Sequence, residues 1–232
     1  MCIRDSVRWN RYRAKRRSRS LRVSPWQFFL GHRAEILEAT ATHLTLVAIS
    51  MAVAIAIALP LGMLIVRRPT LRTIALGVAS VFQTVPSLAL FGFLIPIPFI
   101  GGIGRRTAIV ALVLYALLPI LRNTYVGLTG IDPAVLQAAE AMGMTDRQIL
   151  WRVRLPLALP VILAGIRTAT VITIGVATIA AAIGAGGLGT FIFRGVAMVS
   201  DAVILAGAIP AALLAIAADV LIAALERRLK VA

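Results

Sequence analysis

The sequence predicts an all-α integral membrane protein, and three observations carry that prediction. Of 232 residues, 60% are hydrophobic and 14% charged, with a mean hydropathy of +0.95, far outside the range of soluble domains. Long stretches free of charge recur along the chain. Leu44 to Ile65 holds none for 22 residues, which as a helix reaches roughly 33 Å, enough for the hydrocarbon core. The formal charge of +15 is unevenly spread: residues 1–33 hold ten Lys and Arg against Asp5 alone, so most of the basicity belongs to a tail.

The same counts exclude several functions. A single cysteine, Cys2, permits no internal disulfide. The only lysines, Lys15 and Lys230, do not follow a glycine, which rules out a Walker A phosphate loop. No cofactor is therefore expected on this chain, and any ATP hydrolysis falls to a separate polypeptide. His32 and His43 have no neighbours at metal-ligand spacing and read as interfacial residues, not ligands.

Taken in order, residues 1–23 form a basic tail, read as a disordered or artefactual extension because its first residues, MCIRDS, resemble translated adapter sequence. Trp9 and Tyr12 among the arginines would also suit nucleic acid or anionic head groups. A membrane-anchored nucleic-acid-binding or scaffold protein is thus the reading from another class, though nucleic acid is not the expected partner. Residues 24–42 mix Trp26, Phe28 and Phe29 with His32, Arg33, Glu35 and Glu38, the pattern of an amphipathic helix lying in the membrane interface. Span one is Leu44 to Ile65. Span two, about residues 73–95, contains QTVPS, where Pro86 in mid-helix would bend the backbone. Irregular backbone at that depth must be covered by protein or face a wet cavity, which makes Gln83, Pro86 and Ser87 candidates for a solute pathway. Span three begins at Thr107 and runs past Leu121, with Arg122 and Asn123 as further candidates.

Span four, Leu157 to Ile183, carries Arg167 and Thr168, also pathway candidates, and small residues in GVATIAAAIGAGG that would allow a partner helix to approach. The adjoining GAGGLG matches a dinucleotide-binding pattern in letters but lacks a strand before it, and reads as a turn. Span five, about Ala202 to Leu225, is bent at Pro210 and has Asp219 near its far end, read either as a pathway residue or as an interfacial acid. Residues 227–232 form a basic C-terminal tail.

Between spans three and four lies a polar island, QAAEAMGMTDRQILWRVRLP, that organises the rest. It reads as two short helices, broken at Gly143 and restarted with Thr145 or Asp146 as N-cap, with Pro156 ending the hydrogen-bond ladder before span four. The triplet Gln137, Ala138, Ala139, then Gly143 and an ending of Val153, Leu155, Pro156, resembles the cytoplasmic coupling loop of type I ABC importer permeases. Gln137 stands where that family usually has Glu. QTVPSLAL, LYALLPILRNTYVGL and AGIRTATVITIGVATIAAAIGAGGLG are similar to the osmoprotectant branch of the family, whose solutes are glycine betaine, choline, carnitine and related quaternary amines.

That resemblance implies five transmembrane helices in a type I domain over residues 43–226, with a coupling loop at 130–157. Gln137, Ala138, Ala139, Met142, Gly143, Leu155 and Pro156 would couple to the ATPase. It further implies a second permease subunit, identical or a sister chain, two cytoplasmic ABC ATPase subunits and an extracytoplasmic solute-binding protein, all in or at the lipid of a bacterial inner membrane. A permease of the same architecture for an amino acid is the nearer alternative. With the coupling loop cytoplasmic, ten Lys and Arg fall inside, against Arg105, Arg106 and Arg194 outside. The C-terminus is then cytoplasmic and the basic N-terminus extracytoplasmic, against the positive-inside rule.

Overall fold

Two prolines in this chain do opposite things, and the fold turns on the difference. The computed structural model describes residues 25–229, so the basic tail, its topology and the last three residues lie outside the described residues. Helix α1 covers Pro25–Gly31 and α2 covers Arg33–Ile65, which at about 50 Å is longer than the bilayer core. Pro60 sits within α2 without ending it. At Pro86 the chain breaks: α3 (Pro69–Thr84) and α4 (Ser87–Leu94) meet at 105°. Val85, disfavoured from helical backbone by the proline after it, is extended at ψ 128°. The Val85 carbonyl, orphaned by the break, accepts the Tyr115 hydroxyl from the neighbouring span. The bend expected in span two is therefore a break closed by a tertiary hydrogen bond.

Helix α5 (Arg105–Thr129) returns across the membrane to the polar island. There α6 (Pro133–Ala141) and the single turn α7 (Asp146–Gln148) lead through a π-helical stretch, Ile149–Arg154, into α8 (Leu155–Ile179). A 3-10 turn, Ala180–Ile183, a glycine loop, α9 (Gly189–Met198) and α10 (Asp201–Leu229) complete the described residues, among which there is no strand. Four helical stretches are long and apolar enough to cross a membrane, and counting the broken α3–α4 pair as one span makes five.

The core lies where α2, α5 and α8 meet. Ala54, Ala58, Ala108, Ala111, Ala116, Ala169, Ala177 and Ala180 are fully buried there. Lipid tails are as apolar as leucine, so helices associate through close packing, which small residues permit. A Cβ added at Gly165 would stand 2.5 Å from Asn123 Cβ and 2.8 Å from the Pro119 carbonyl on α5. Of the small residues between Gly175 and Gly184, Ala177 and Ala180 are buried inside the chain, whereas Gly175, Ala182 and Gly184 are exposed.

Two further expectations change. The segment 24–42 is not one separate interfacial helix. It breaks at His32, and Arg33 onward is continuous with span one, while Phe28, Phe29 and Ile36 pack against Phe191, Val203 and Ala206. His43 is not interfacial but fully buried, its Nε2 3.2 Å from the Ile174 carbonyl on α8. An isolated histidine in a sequence carries no sign of the neighbour that will bury it. The GAGGLG stretch is a turn, as read, with Gly184, Gly186 and Gly187 at φ of 75°, 82° and 81°, and Gly187 closes against His43.

Candidate functional site

The polar island is built from local chemistry at each of its corners. Asp132 caps α6 by accepting the Ala134 N–H at 2.8 Å, with Pro133 at the first helical position, where its missing N–H costs nothing. The helix closes at Gly143, φ 76°. The Met144 N–H reaches back to the Ala139 carbonyl and the Gly143 N–H to the Glu140 carbonyl, the paired bonds of a Schellman motif. No atom lies within 4 Å of a Cβ placed on Gly143, so the requirement there is backbone conformation, not space.

Thr145 then restarts the helix with a reciprocal capping box: its N–H donates to Gln148 Oε1 at 2.8 Å and its Oγ1 accepts the Gln148 N–H at 3.4 Å. Pro156, expected to end the hydrogen-bond ladder, does not interrupt the helix. The backbone widens to π register over Ile149–Arg154, with the Leu155 N–H bonding the Leu150 carbonyl five residues back, and continues into α8. The wider turn absorbs the proline that an α-helical ladder would have had to break around. The island is therefore joined to span four by unbroken helical backbone from Asp146 to Ile183.

Exposure sorts the coupling residues. Gln137, Ala138 and Met142 are exposed, Met142 at 74%. Ala139 is 2% exposed, in a helix that packs against the π-helical stretch. Its side chain is covered within the chain, whereas those of Gln137, Ala138 and Met142 are not. Leu155 is half-buried and Pro156 exposed. Arg67, after span one, pairs with Asp146 at 3.1 Å, and both residues border a cavity of about 40 Å³ behind the island.

The pathway candidates fall in two places. Gln83 and Ser87 are half-buried and Pro86 exposed at the α3–α4 break. The others lie on α5 and α8: Arg122 is exposed, Asn123 donates to the Pro119 carbonyl at 2.8 Å beneath Gly165, and the exposed Thr168 bonds its own helix at Ala164. Arg167 is half-buried, its Nε 3.0 Å from Asp219 and its Nη1 3.5 Å from Glu226 on α10. Sequence reasoning left those partners unassigned. The available signal was that an arginine inside an apolar span needs an opposite charge, and Asp219 is the acid within another span. Among the described residues no cluster of His, Cys, Asp and Glu could hold a metal.

Comparison with known proteins agrees with this geometry. Residues 54–231 match the family described as binding-protein-dependent transport system inner membrane component. The carnitine transport permease protein OpuCD of Listeria monocytogenes is 47% identical over 84% of this chain and 86% of its own length. The glycine betaine/carnitine/choline transport system permease protein OpuCD of Bacillus subtilis is 50% identical over 73% of each chain. Among solved structures, an inward-facing MetNI methionine ABC transporter superposes with a TM-score of 0.75 at 26% identity, covering 84% of this chain and 95% of the other. The chain belongs to the binding-protein-dependent inner membrane permease family and has the type I ABC importer permease fold. It is a multi-pass membrane subunit of an ABC importer without a nucleotide-binding site of its own, and subunits of this kind work with an ATPase, a binding protein and a second permease.

Proposed function

We propose that this permease subunit forms the pathway for quaternary-amine osmoprotectants, glycine betaine, carnitine or choline, in a bacterial inner membrane. The observation that carries the reading is the 47–50% identity, over most of the chain, to permeases named for those solutes. Aromatic residues make up only 6% of the chain, too few within the spans to suggest a cation-binding cage, so selectivity rests with the solute-binding protein.

Energy enters through the polar island. Gln137, Ala138 and Met142 present a small, partly apolar face to a groove on the ATPase, which hydrolyses the ATP; Ala139 and Gly143 fix the angle of that face. Because Leu155 and Pro156 lie within continuous helix, displacement of the docked island becomes displacement of α8. Two such subunits, identical or sister chains, then open the pathway alternately to either side. Gln83, Pro86, Ser87, Arg122, Asn123 and Thr168 line it, whereas Arg167, paired with Asp219 and Glu226, is held against α10. The island and the C-terminus are cytoplasmic, which puts the N-terminus outside if the chain crosses five times.

The test is uptake by proteoliposomes holding the permease with its ATPase and binding protein, offered labelled glycine betaine, carnitine, choline and methionine. ATP-dependent uptake of at least one quaternary amine is expected; uptake of methionine alone overturns the substrate assignment. Gly143→Val, which places a β-branched residue at positive φ, is expected to lower uptake at least about tenfold while membrane insertion is unchanged.

A further inference from the structure

The ion pairs of Arg167 lie between two spans of unlike standing. Helix α8 is driven directly, since it is one helix with the second half of the polar island, from Asp146 on. Helix α10 is the least buried span: 6% of its apolar window is covered within the chain, against half of the window in α5. Leu213, Ile216, Val220, Leu221 and Leu225 on α10 are exposed. The first turns of α10 are packed, with Val203, Ala206 and Ala211 buried, so it is the remainder of the helix that apolar contact alone holds weakly, because lipid offers the same contact.

From this contrast we propose that Arg167, Asp219 and Glu226 act as a strut that makes α10 follow α8 when the island moves. Asp219 and Glu226 are seven residues apart on α10, two turns along one face, about 10 Å of helix rise. A single guanidinium touching both fixes α8 against sliding along α10 as well as against separation. A guanidinium suits this role, since its fixed fork can bridge two carboxylates where a lysine offers a point charge. Glu226 is the most buried of the three, with 12% of its side chain exposed, so it is the member whose charge is most costly to leave unpaired. Arg167 is about 18 Å along α8 from Leu155, so the strut acts at a distance from the docking face. It is a positioning device, and none of the three residues needs to touch solute.

The strut rests on the reading of the chain as an ATP-driven permease subunit but not on which solute it carries. Its test uses the complete transporter in proteoliposomes and reads labelled glycine betaine taken up per ATP hydrolysed. Arg167→Gln is expected to lower that ratio at least about fivefold while hydrolysis continues, and the exchange Arg167→Asp with Asp219→Arg to restore half or more of it. An unchanged ratio in Arg167→Gln overturns the strut, and so does an exchange that restores nothing although the protein is folded and hydrolyses ATP. A second measurement needs no transported solute: spin labels at the exposed Leu157 and Leu221 report the α8–α10 distance. With the strut, one distance should persist with and without ATP and vanadate; in Arg167→Gln the distribution should broaden in the ATP state. Equal distributions in both proteins overturn the strut, whereas failure of the wild type to take up any quaternary amine overturns only the solute assignment.

Discussion

The polar island and the crossing of α5 with α8 hold their shape by different means. Every corner of the island is secured by a neighbour in sequence: Asp132 on Ala134, Met144 on Ala139, Thr145 on Gln148. At the crossing, by contrast, Gly165 meets Asn123 and Pro119, which are more than forty positions away, with no space for a methyl group. The island is a unit that can shift as a whole without losing its internal bonds. The crossing is a fulcrum, since it cannot loosen without opening the core. A moving handle and a fixed pivot are what an alternating-access subunit needs, and they are made here from local and from long-range contacts respectively.

Substitutions that sharpen this contrast should have effects in a definite order. The largest is expected for Gly165→Leu, where the side chain would collide with backbone and Cβ atoms of α5. Overpacking of this kind costs about 3 kcal/mol or more, and should appear as a steep fall in the thermal unfolding midpoint in detergent or as loss of folded protein. His43→Ala comes next, because it empties a fully buried site and removes the contact with the Ile174 carbonyl. About 2 to 4 kcal/mol is expected, read by the same melt. Thr145→Ala removes one half of the capping box and should cost about 1 kcal/mol locally. Faster hydrogen exchange confined to residues 145–150, with the global midpoint nearly unchanged, is the expected result. Arg67→Ala breaks a pair whose side chains are 65% and 78% exposed, and should change stability by less than about 0.5 kcal/mol. A melt lowered more by Thr145→Ala than by Gly165→Leu would reverse the assignment of handle and pivot.

The strut fits between these two regions. It is made of long-range contacts, like the pivot, yet it is half-open, and its loss should be felt in coupling more than in stability. Arg167, flanked by exposed Thr168 on one side and by buried Ala169 two positions on, sits at the edge of the packed surface of α8. That edge is where a guanidinium can keep part of its surface wet while joining two helices.

What the residues dictated by themselves was decided within about six positions along the chain, Pro156 excepted, whose ladder a widened turn carries on. The charge-free runs marked the spans, Gly143 marked the left-handed corner, and Thr145 with Gln148 marked the new helix start, because caps and turns are satisfied by near neighbours. What the tertiary structure alone decided was whatever depends on a partner far along the chain. Pro86 breaks its helix locally, through Val85, but it is Tyr115, from another helix, that takes the carbonyl the break leaves free. His43 is buried because Ile174 and Gly187 close over it, and Arg167 is matched because α10 brings Asp219 and Glu226 alongside. In lipid an apolar face meets an apolar solvent in every direction, so hydrophobicity places a helix in the membrane but does not choose its neighbours; shape and charge make that choice, and both exist only once the helices have packed.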